Sequence, residues 1–547
     1  MTVPWIERLS FQNPVLSKDV RTRMRGGRAF LIQGAYVAIL VLMIGVAYFG
    51  WWIANRAGAS PMVIASRVGR LFYGLVFQTQ AALVVLITPA LTGGAITIER
   101  EQRTYDLLAC TRLSARTIIV GKLLSTWLFV VMLLTCSLPM AALCLMFGGV
   151  SLGEIAASYL MLCLFALAYA SLGLLCSTAL ARSVSAIILA YGLIFGSLVG
   201  STMLDLGMSG LGRALNPFGC LATGADPITI FSHSLPAWLP GAIVLPLLSL
   251  LFTNWAISRL PHFHADRALV IRSLVALLLI VCLLLALGVP LMPYYFVTGQ
   301  LVVIGAAVAL ILSALLFATA DSPTARPRSL LAWMSTGLDP RRMFSSQLRG
   351  GWSYLLLLAA LYAGTVWLAI VLRAQAGSGS PGPYRPGAGP YSGYQHLTLS
   401  QMDALRLFLL MAAVLLCYSG LGALGAALRS RRVGIVLAAF FLLVSQGVVG
   451  MVWIGDLPPV GSVNAGTDYS LYLAPYVGVF SIADPAGAKR AIPAGMLPPA
   501  APPVWQVTAV IYLLLALAFL ASAEAIYQAN YRRVAAAEPE PAGPAGG

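Results

Sequence analysis

The chain has 547 residues, of which 59% are apolar and only 10% are charged. Soluble globular proteins carry about 25% charged residues, so this composition excludes an ordinary water-soluble enzyme. It also excludes intrinsic disorder over most of the chain, because disordered segments are poor in apolar residues. In a soluble domain the net charge of +16 would suggest nucleic-acid binding. Here the basic residues lie mostly between long apolar runs, and we expect no nucleic-acid partner.

Apolar runs long enough to cross a membrane recur along the whole chain. A helix needs about 20 apolar residues to cross a hydrocarbon core roughly 30 Å thick. A closed barrel is excluded, because its strands alternate polar and apolar residues over about ten positions. We therefore predict an all-α polytopic membrane protein with about twelve transmembrane helices. The predicted spans are 30–53, 71–91, 123–147, 155–180, 184–203, 236–257, 270–288, 299–318, 353–372, 405–428, 433–454 and 505–526.

The distribution of Lys and Arg predicts which ends of these spans face the cytoplasm. With the N-terminus inside, 25 of the 34 basic residues fall in inside segments, as the positive-inside rule requires. Both termini are therefore predicted to be cytoplasmic, and the basic residues favour contact with anionic membrane lipid. The first apolar run is too long for the core of a signal peptide, so we expect no cleaved one. The preference for Arg over Lys indicates a GC-rich genome and hence a bacterial inner membrane.

Residues 1–29 have the features of an interfacial helix. Asn13 can cap a helix, and Pro14 suits the first helical position. Apolar and basic side chains then fall on two separate stripes. The apolar stripe is Leu16, Val20 and Met24, and the basic stripe is Lys18, Arg21 and Arg25. We predict a helix that lies in the headgroup plane with its apolar face toward lipid.

The longest charged stretch among the first six spans is the segment 92–122, TGGAITIEREQRTYDLLACTRLSARTIIVGK. Glu99 and Arg103 are four residues apart, which favours a short helix. Thr111 to Ser114 is predicted to end that helix, and a second helix then leads into the third span. The apolar face of the first helix is Ile98, Tyr105 and Leu108. From the residues alone, the segment is either a docking surface for another protein or a solvated loop.

The segment resembles the coupling region of type-2 ATP-binding-cassette (ABC) permeases of the exporter class. In that family a small-residue run precedes E-R-E-x-G-T-x-[DE]-x-L-L-x-T-P-L-S and a stretch ending in G-K. The matching residues here are Glu99, Arg100, Glu101, Thr104, Asp106, Leu107, Leu108, Thr111, Leu113, Ser114, Gly121 and Lys122. Arg103 stands where Gly is usual, and Arg112 stands where Pro is usual. The likeness covers about residues 10–260, and the segment from Asn13 to Arg28, NPVLSKDVRTRMRGGR, resembles the family's elbow helix.

This resemblance implies a permease subunit of an ATP-driven exporter, docked through its coupling helix to a separate P-loop ATPase in two copies. The residues assigned to ATPase coupling are Glu99, Arg100, Glu101, Arg103, Thr104, Asp106, Leu107 and Leu108. The residues assigned to the elbow are Asn13, Pro14, Arg21 and Arg25. The chain has no G-x-x-x-x-G-K-[ST] motif for binding nucleotide phosphates. We therefore expect no enzymatic activity and no cofactor in this chain, with ATP and Mg²⁺ bound by the partner ATPase.

A shortened copy of the first half follows later in the chain. Residues 169–191 align without gaps to residues 418–440, and residues 216–227 align to residues 474–485. We infer that spans 1, 4, 5 and 6 correspond to spans 9 to 12, and that the copy lacks the hairpin of spans 2 and 3. The alternative is that apolar sequences rich in small residues resemble one another by composition. Because an ATPase dimer has two sockets, a single coupling helix predicts a second permease chain, either identical or a sister.

The predicted organisation has five parts. They are an interfacial elbow at 1–29, a six-span permease half at 30–260, a two-span insert at 261–337, a shortened four-span repeat at 338–534 and a disordered tail at 535–547.

Other candidate sites are weaker. Gly192, Gly196 and Gly200 allow close helix packing, either within the bundle or between halves. His262 and His264 are too few to predict a metal site. Glu524 is either an interfacial carboxylate or a proton relay, and Gln78 and Gln80 are the main polar residues of the second span.

The substrate-binding residues cannot be assigned from the sequence. The apolar, small-residue-rich spans fit a lipid, a glycolipid, a hydrophobic drug or a peptide. Two other classes of protein stay open: an ion-coupled secondary transporter, and a membrane scaffold without transport. An ion-coupled secondary transporter would need acidic or His residues inside the spans. Apart from Glu524, the predicted spans contain almost no acidic residues and no His.

Overall fold

The structure is a computed structural model that describes residues 14–24, 27–54, 61–105, 110, 113–207, 211–222, 227–230, 233–260, 267–288, parts of 357–368, 401–427 and 504–537. The chain divides into two compact units, Met1–Leu274 and Val275–Gly547.

The first unit consists of helices joined mostly by short connections. In chain order they are α1 (Pro14–Met24), α2 (Gly27–Ala54), α3 (Pro61–Thr92), α4 (Thr97–Glu101), α5 (Ala115–Cys136), α6 (Leu138–Phe147), α7 (Leu152–Ala179), α8 (Ser183–Gly207), α9 (Leu211–Leu215), α10 (Pro217–Ala222) and α11 (Leu239–Arg259). A two-stranded antiparallel sheet, β1 (Pro227–Ile230) and β2 (His233–Pro236), precedes α11, with Pro227 opposite Pro236. The sequence analysis did not predict this hairpin.

Six helical stretches in the described residues are long and apolar enough to cross a membrane, which confirms a mostly helical polytopic membrane protein. These stretches are Val68–Glu101, Ala115–Phe147, Leu152–Ala179, Ser183–Thr202, Leu239–Arg259 and Gln506–Ile526. Shorter apolar helices occur at Phe30–Gly45, Leu269–Leu285 and Phe408–Cys417. The predicted spans 299–318 and 433–454 lie outside the described residues, so the count of twelve stays a prediction.

The predicted third span, 123–147, is broken at Ser137 into α5 and α6. Pro139 causes the break, because it has no backbone N–H and its ring clashes with the carbonyl one turn before it. The Ser137 hydroxyl donates to the Leu134 carbonyl at 2.6 Å and lies 2.9 Å from the Tyr159 hydroxyl. The break is thereby fixed against α7.

Helix α7 lies at the centre of the first unit and packs against α3, α5, α8 and α11. Its start is set by a capping box, in which the Ser151 hydroxyl accepts from the Glu154 backbone N–H at 3.2 Å. Along its length Phe165 is fully buried, and the Ser158 hydroxyl lies 2.6 Å from the Tyr73 hydroxyl of α3. A helix buried on several sides is the natural frame for the segments that contact its ends.

The predicted elbow forms helix α1, but part of its apolar side faces protein. Val15 and Leu16 are buried, and α1 packs against α5. Lys18 and Arg21 are exposed, as the basic stripe predicted. The expectation that the apolar stripe faces lipid is therefore corrected at Leu16, because helix–helix packing covers that side chain. Asn13 and Arg25 lie outside the described residues.

In the second unit, α13 (Gln401–Ala427) and α14 (Val504–Ala537) pack against each other along their length. Gln401 lies 249 positions after Leu152, the first residue of α7, and the aligned Tyr418 also lies 249 positions after Tyr169. The division of the chain into a half, an insert and a shortened copy stays a prediction. Helix α12 (Ala268–Gly288) contains the boundary between the two units.

Candidate coupling segment between the second and third spans

The predicted helix from Glu99 to Leu108 is much shorter in the structure. Helix α4 ends at Glu101, and Arg103 has a backbone φ of +57°. The Thr104 N–H donates to the Glu99 carbonyl at 3.0 Å, and the Arg103 N–H donates to the Arg100 carbonyl at 3.1 Å. This pattern is a Schellman motif, which stops a helix at a left-handed residue that is usually Gly. The helical pair Glu99–Arg103 was therefore a wrong prediction, because the chain turns before Arg103.

Arg103→Gly is expected to stabilise the protein by about 0.5–1 kcal/mol. The left-handed conformation costs a non-Gly residue roughly 1–2 kcal/mol, and the greater freedom of unfolded Gly offsets part of the gain. Thermal unfolding of the detergent-solubilised chain measures the effect. Arg116→Ala removes an exposed Arg from a helical position and serves as the control, with no change expected. A melting temperature for Arg103→Gly at or below that of the wild type would contradict this explanation.

Glu99 is paired inside the chain with Lys122 of α5. The Lys122 ammonium donates to the Glu99 carboxylate at 2.7 Å, and the two side chains are only 8% and 24% exposed. Such a pair is screened little by solvent, so removal of one partner leaves the other charge poorly solvated. The first Glu of the motif therefore joins α4 to the start of the third span.

Arg100 reaches the end of α7. Its guanidinium donates to the carbonyl of Leu180 at 3.2 Å and to that of Thr178 at 3.3 Å. It also lies 5.5 Å from the centre of the Tyr105 ring. The last carbonyls of a helix carry the negative end of its dipole, so a cation is favourable there.

Glu101 caps the start of α8. Its carboxylate accepts from the Ser183 backbone N–H at 2.8 Å and from the Ser183 hydroxyl at 2.7 Å. An anion at a helix N-terminus satisfies free N–H groups and faces the positive end of the dipole. At the other end of α4, the Ser177 hydroxyl accepts from the N–H groups of Ile96 and Thr97 at 2.9 and 3.1 Å.

These contacts form what we call the α4 clamp: the bonds of Glu99, Arg100 and Glu101 to α5, the end of α7 and the start of α8. One helix of five residues is thus bonded to the ends of three longer helices. The residues that bind this helix, Lys122, Ser177 and Ser183, were not predicted as its partners. Lys122 could have been predicted to have an acidic partner, because a Lys at the start of an apolar span is costly to bury without one.

Gly173 of α7 allows the segment just before α4 to approach α7 closely. A Cβ atom added at Gly173 would overlap the Thr92 hydroxyl and lie 3.3 Å from the Gly93 backbone nitrogen. After the turn, Tyr105 is buried in an apolar cluster with Ile96, Ile118 and others. Ile98 is 43% exposed, so the predicted shared face of Ile98 and Tyr105 is wrong. The early end of α4 explains this, because the two residues are not on one helix.

The remaining coupling residues divide into two groups. Arg103 and Thr104 are exposed. Asp106, Leu107 and Leu108 lie outside the described residues, as do Thr111 and Arg112. The assignment of the whole set to ATPase coupling stays a prediction.

The other candidate residues lie apart from α4 or outside the described residues. Gly192, Gly196 and Gly200 line α8, and no described atom lies within 4 Å of a Cβ built on any of them. Gln80 is fully buried, and the Gln78 amide donates to the Phe218 carbonyl at 2.7 Å. Glu524 accepts from the Gln528 amide at 2.7 Å within α14, and His262 and His264 lie outside the described residues.

The fold and the α4 clamp define a polytopic helical membrane protein in which a short charged segment between two spans holds the ends of others. Residues 65–290 match a family described as ABC-2 family transporter protein. The match covers less than half of the chain, and it supports the ABC-2 type permease that the resemblance of segment 92–122 predicted. Members of the family are transmembrane subunits that work with a separate ATP-binding-cassette protein. No curated protein matches the chain.

Proposed function

We propose that this permease subunit drives export of an apolar substrate, and that α4 transmits the motion of a separate P-loop ATPase to the spans. The α4 clamp is the observation that carries this proposal. Because α4 is bonded to α5, α7 and α8, a displacement of α4 moves the ends of three spans together. A solvated loop would not need a pair as buried as Glu99 and Lys122.

The mechanism follows from linkage between ATP and two conformations of the permease. ATP and Mg²⁺ bind to two copies of the partner ATPase, and their closure displaces α4. The clamp then shifts the ends of α5, α7 and α8, and the pathway changes the side to which it opens. Substrate is released because its affinity differs between the two conformations. The chain itself performs no covalent chemistry.

A second permease chain completes the proposed transporter. An ATPase dimer has two sockets for coupling helices. If residues 418–440 correspond to residues 169–191, the second half of the chain has no counterpart of the hairpin of spans 2 and 3, which carries α4. Helix α8 supports the proposal, because Gly192, Gly196 and Gly200 leave open space beside an exposed apolar surface. The complex lies in a bacterial inner membrane with both termini in the cytoplasm.

Substrate class follows from the character of the spans. In α3 the amide of Gln78 is bonded to the Phe218 carbonyl, and the amide of Gln80 is buried with no hydrogen-bond partner among the described residues. The remaining surface of the described spans is largely apolar, with Phe195 and Ile188 of α8 among the most exposed side chains. A lipid, glycolipid, hydrophobic drug or peptide fits such a surface.

Purification of the tagged full-length chain from its native host in mild detergent tests the proposal. We expect mass spectrometry to identify a P-loop ATPase, and the particle mass to correspond to two permease chains and two ATPases. A folded permease without any ATPase would contradict the proposal and favour a secondary transporter or a scaffold. Uptake into vesicles that is driven by a proton gradient without ATP would then favour the secondary transporter over the scaffold. A particle with one permease chain and two ATPases would contradict only the prediction of a second permease chain.

A further inference from the structure

The charged residues of the coupling segment differ in exposure: Glu99 is largely buried with Lys122, whereas Glu101 is exposed and lies near Arg182. The carboxylates of Glu99 and Glu101 are both hydrogen-bonded within the chain, to Lys122 and Ser183. Arg100 is likewise directed to the end of α7. Glu99 and Glu101 therefore each have a partner within the chain.

Three arginines at the same end of the bundle have exposed side chains: Arg103, Arg116 and Arg182. Arg103 follows α4, and Arg182 directly precedes Ser183, whose N–H binds Glu101. Arg116 follows Ala115, which packs in the same apolar cluster as Tyr105. We call these three residues the arginine face. The described carboxylates near it are Glu99 and Glu101, so its outward charge is positive.

Arg103 gives an independent indication that this face has a function. It occupies the left-handed position of a Schellman motif, where Gly avoids the steric cost. A conformation of this kind is retained at functional sites although it lowers stability. Gln102 and Thr104 on either side of it are exposed, as is Ile98, so the surface combines cationic, polar and apolar groups. That composition is typical of the rim of a protein interface.

We propose that the arginine face binds an acidic surface of the ATPase, while the carboxylate of Glu99 stays paired with Lys122 inside the chain. This inference rests on the proposed function, and it names the chemistry of the partner's socket. Complementary charge speeds association and fixes the register of two proteins. The arrangement gives a cationic tip for recognition and an internal clamp for transmission.

The test uses the ATPase that co-purifies with the wild type, added to full-length permease in nanodiscs of purely zwitterionic lipid. The variant Arg103→Glu/Arg116→Glu/Arg182→Glu is compared with wild type at about 50 and 200 mM salt, a range over which surface charges become screened. We expect the variant to bind at least about tenfold more weakly at low salt, since rim charges mainly control association. The salt dependence of wild-type binding should be largely lost in the variant.

Arg213→Glu is the matched control, because Arg213 is exposed and lies toward the opposite end of α8 from Ser183. It should bind the ATPase as the wild type does. Thermal unfolding should show the triple variant to be close in stability to the wild type, because its three side chains are exposed and solvent screens the attraction between Arg182 and Glu101. If the triple variant is unfolded, each single variant is measured in the same way.

Unchanged binding by the folded variants in zwitterionic nanodiscs would overturn the inference. A difference that arises only when anionic lipid is included would also overturn it, and would assign the arginine face to lipid headgroups. Wild type that binds no ATPase would instead contradict the proposed function itself. These outcomes separate the failure of the further inference from the failure of the function on which it rests.

Discussion

Replacing Lys122 by Glu is expected to destabilise the permease by about 3 kcal/mol and to abolish the coupling of ATP hydrolysis to transport. The change puts a second carboxylate beside that of Glu99, in place of the ammonium group that now lies 2.7 Å from it. Breaking a buried ion pair costs about 3–5 kcal/mol, and the partial exposure of Glu99 places this pair at the lower end. Thermal unfolding in detergent and transport per ATP hydrolysed in proteoliposomes measure the two effects.

The exchanged pair Glu99→Lys/Lys122→Glu separates this ion pair from a general loss of charge. It should recover much of the stability and coupling lost in the single variant, because it restores the attraction with reversed sign. Arg116→Glu is a control for stability, since it introduces the same side chain at an exposed site of the same helix. Its stability should change by less than about 0.5 kcal/mol. An exchanged pair no better than Lys122→Glu would show that the bond does not transmit the motion.

Gly173→Ala is expected to destabilise the protein by about 2–3 kcal/mol. The added methyl group would overlap the hydroxyl of Thr92, which is fully buried and donates to the Thr88 carbonyl at 3.0 Å. Overpacking of a close-packed core costs about 1–3 kcal/mol, because side chains and backbone must shift to make room. The shift would separate α7 from the end of α3 and displace α4, which follows directly. We therefore expect weaker coupling together with a lower melting temperature.

Gly34→Ala in α2 provides the comparison, because no described atom lies within 4 Å of a Cβ built on Gly34. It should leave the melting temperature unchanged or slightly raised, as Ala favours a helix over Gly by up to about 1 kcal/mol. Thr92→Ala combined with Gly173→Ala should recover part of the stability by removing the overlapping oxygen. Equal melting temperatures for Gly173→Ala and Gly34→Ala would contradict the close approach of α7 to α3.

Helix positions in the first unit follow closely from the sequence. The predicted spans 155–180 and 184–203 correspond to α7 at Leu152–Ala179 and α8 at Ser183–Gly207. Apolar length is a local property, and a membrane accepts only helices whose backbone groups bond internally, so the pattern specifies the element. The break at Ser137 was missed although Pro139 was visible, because an apolar run alone does not show where a Pro interrupts it.

In the coupling segment, residue spacing did not predict the contacts of the charged side chains. A four-residue spacing predicted a helical Glu99–Arg103 pair, but spacing carries information only while the helix continues. The chain leaves the helix at Gln102 and Arg103, and the Glu99 carboxylate then meets a Lys 23 residues further along the chain. The departure from Gly at this position was a sequence signal, since a Schellman motif favours Gly there. That Arg103 adopts the left-handed conformation and ends the helix is shown only by the backbone of the folded chain.

The sequence by itself determined that the protein is a helical membrane protein, and its resemblance to ABC-2 permeases is supported by the match of residues 65–290. Span length and the motif in 92–122 are local features, and each can be read without knowledge of its neighbours. Only the tertiary structure decided what the motif residues contact. Arg100 and Glu101 bind groups about 80 residues away along the chain, at Leu180 and Ser183. Such contacts depend on how α5, α7 and α8 pack, and no local pattern of residues specifies that packing.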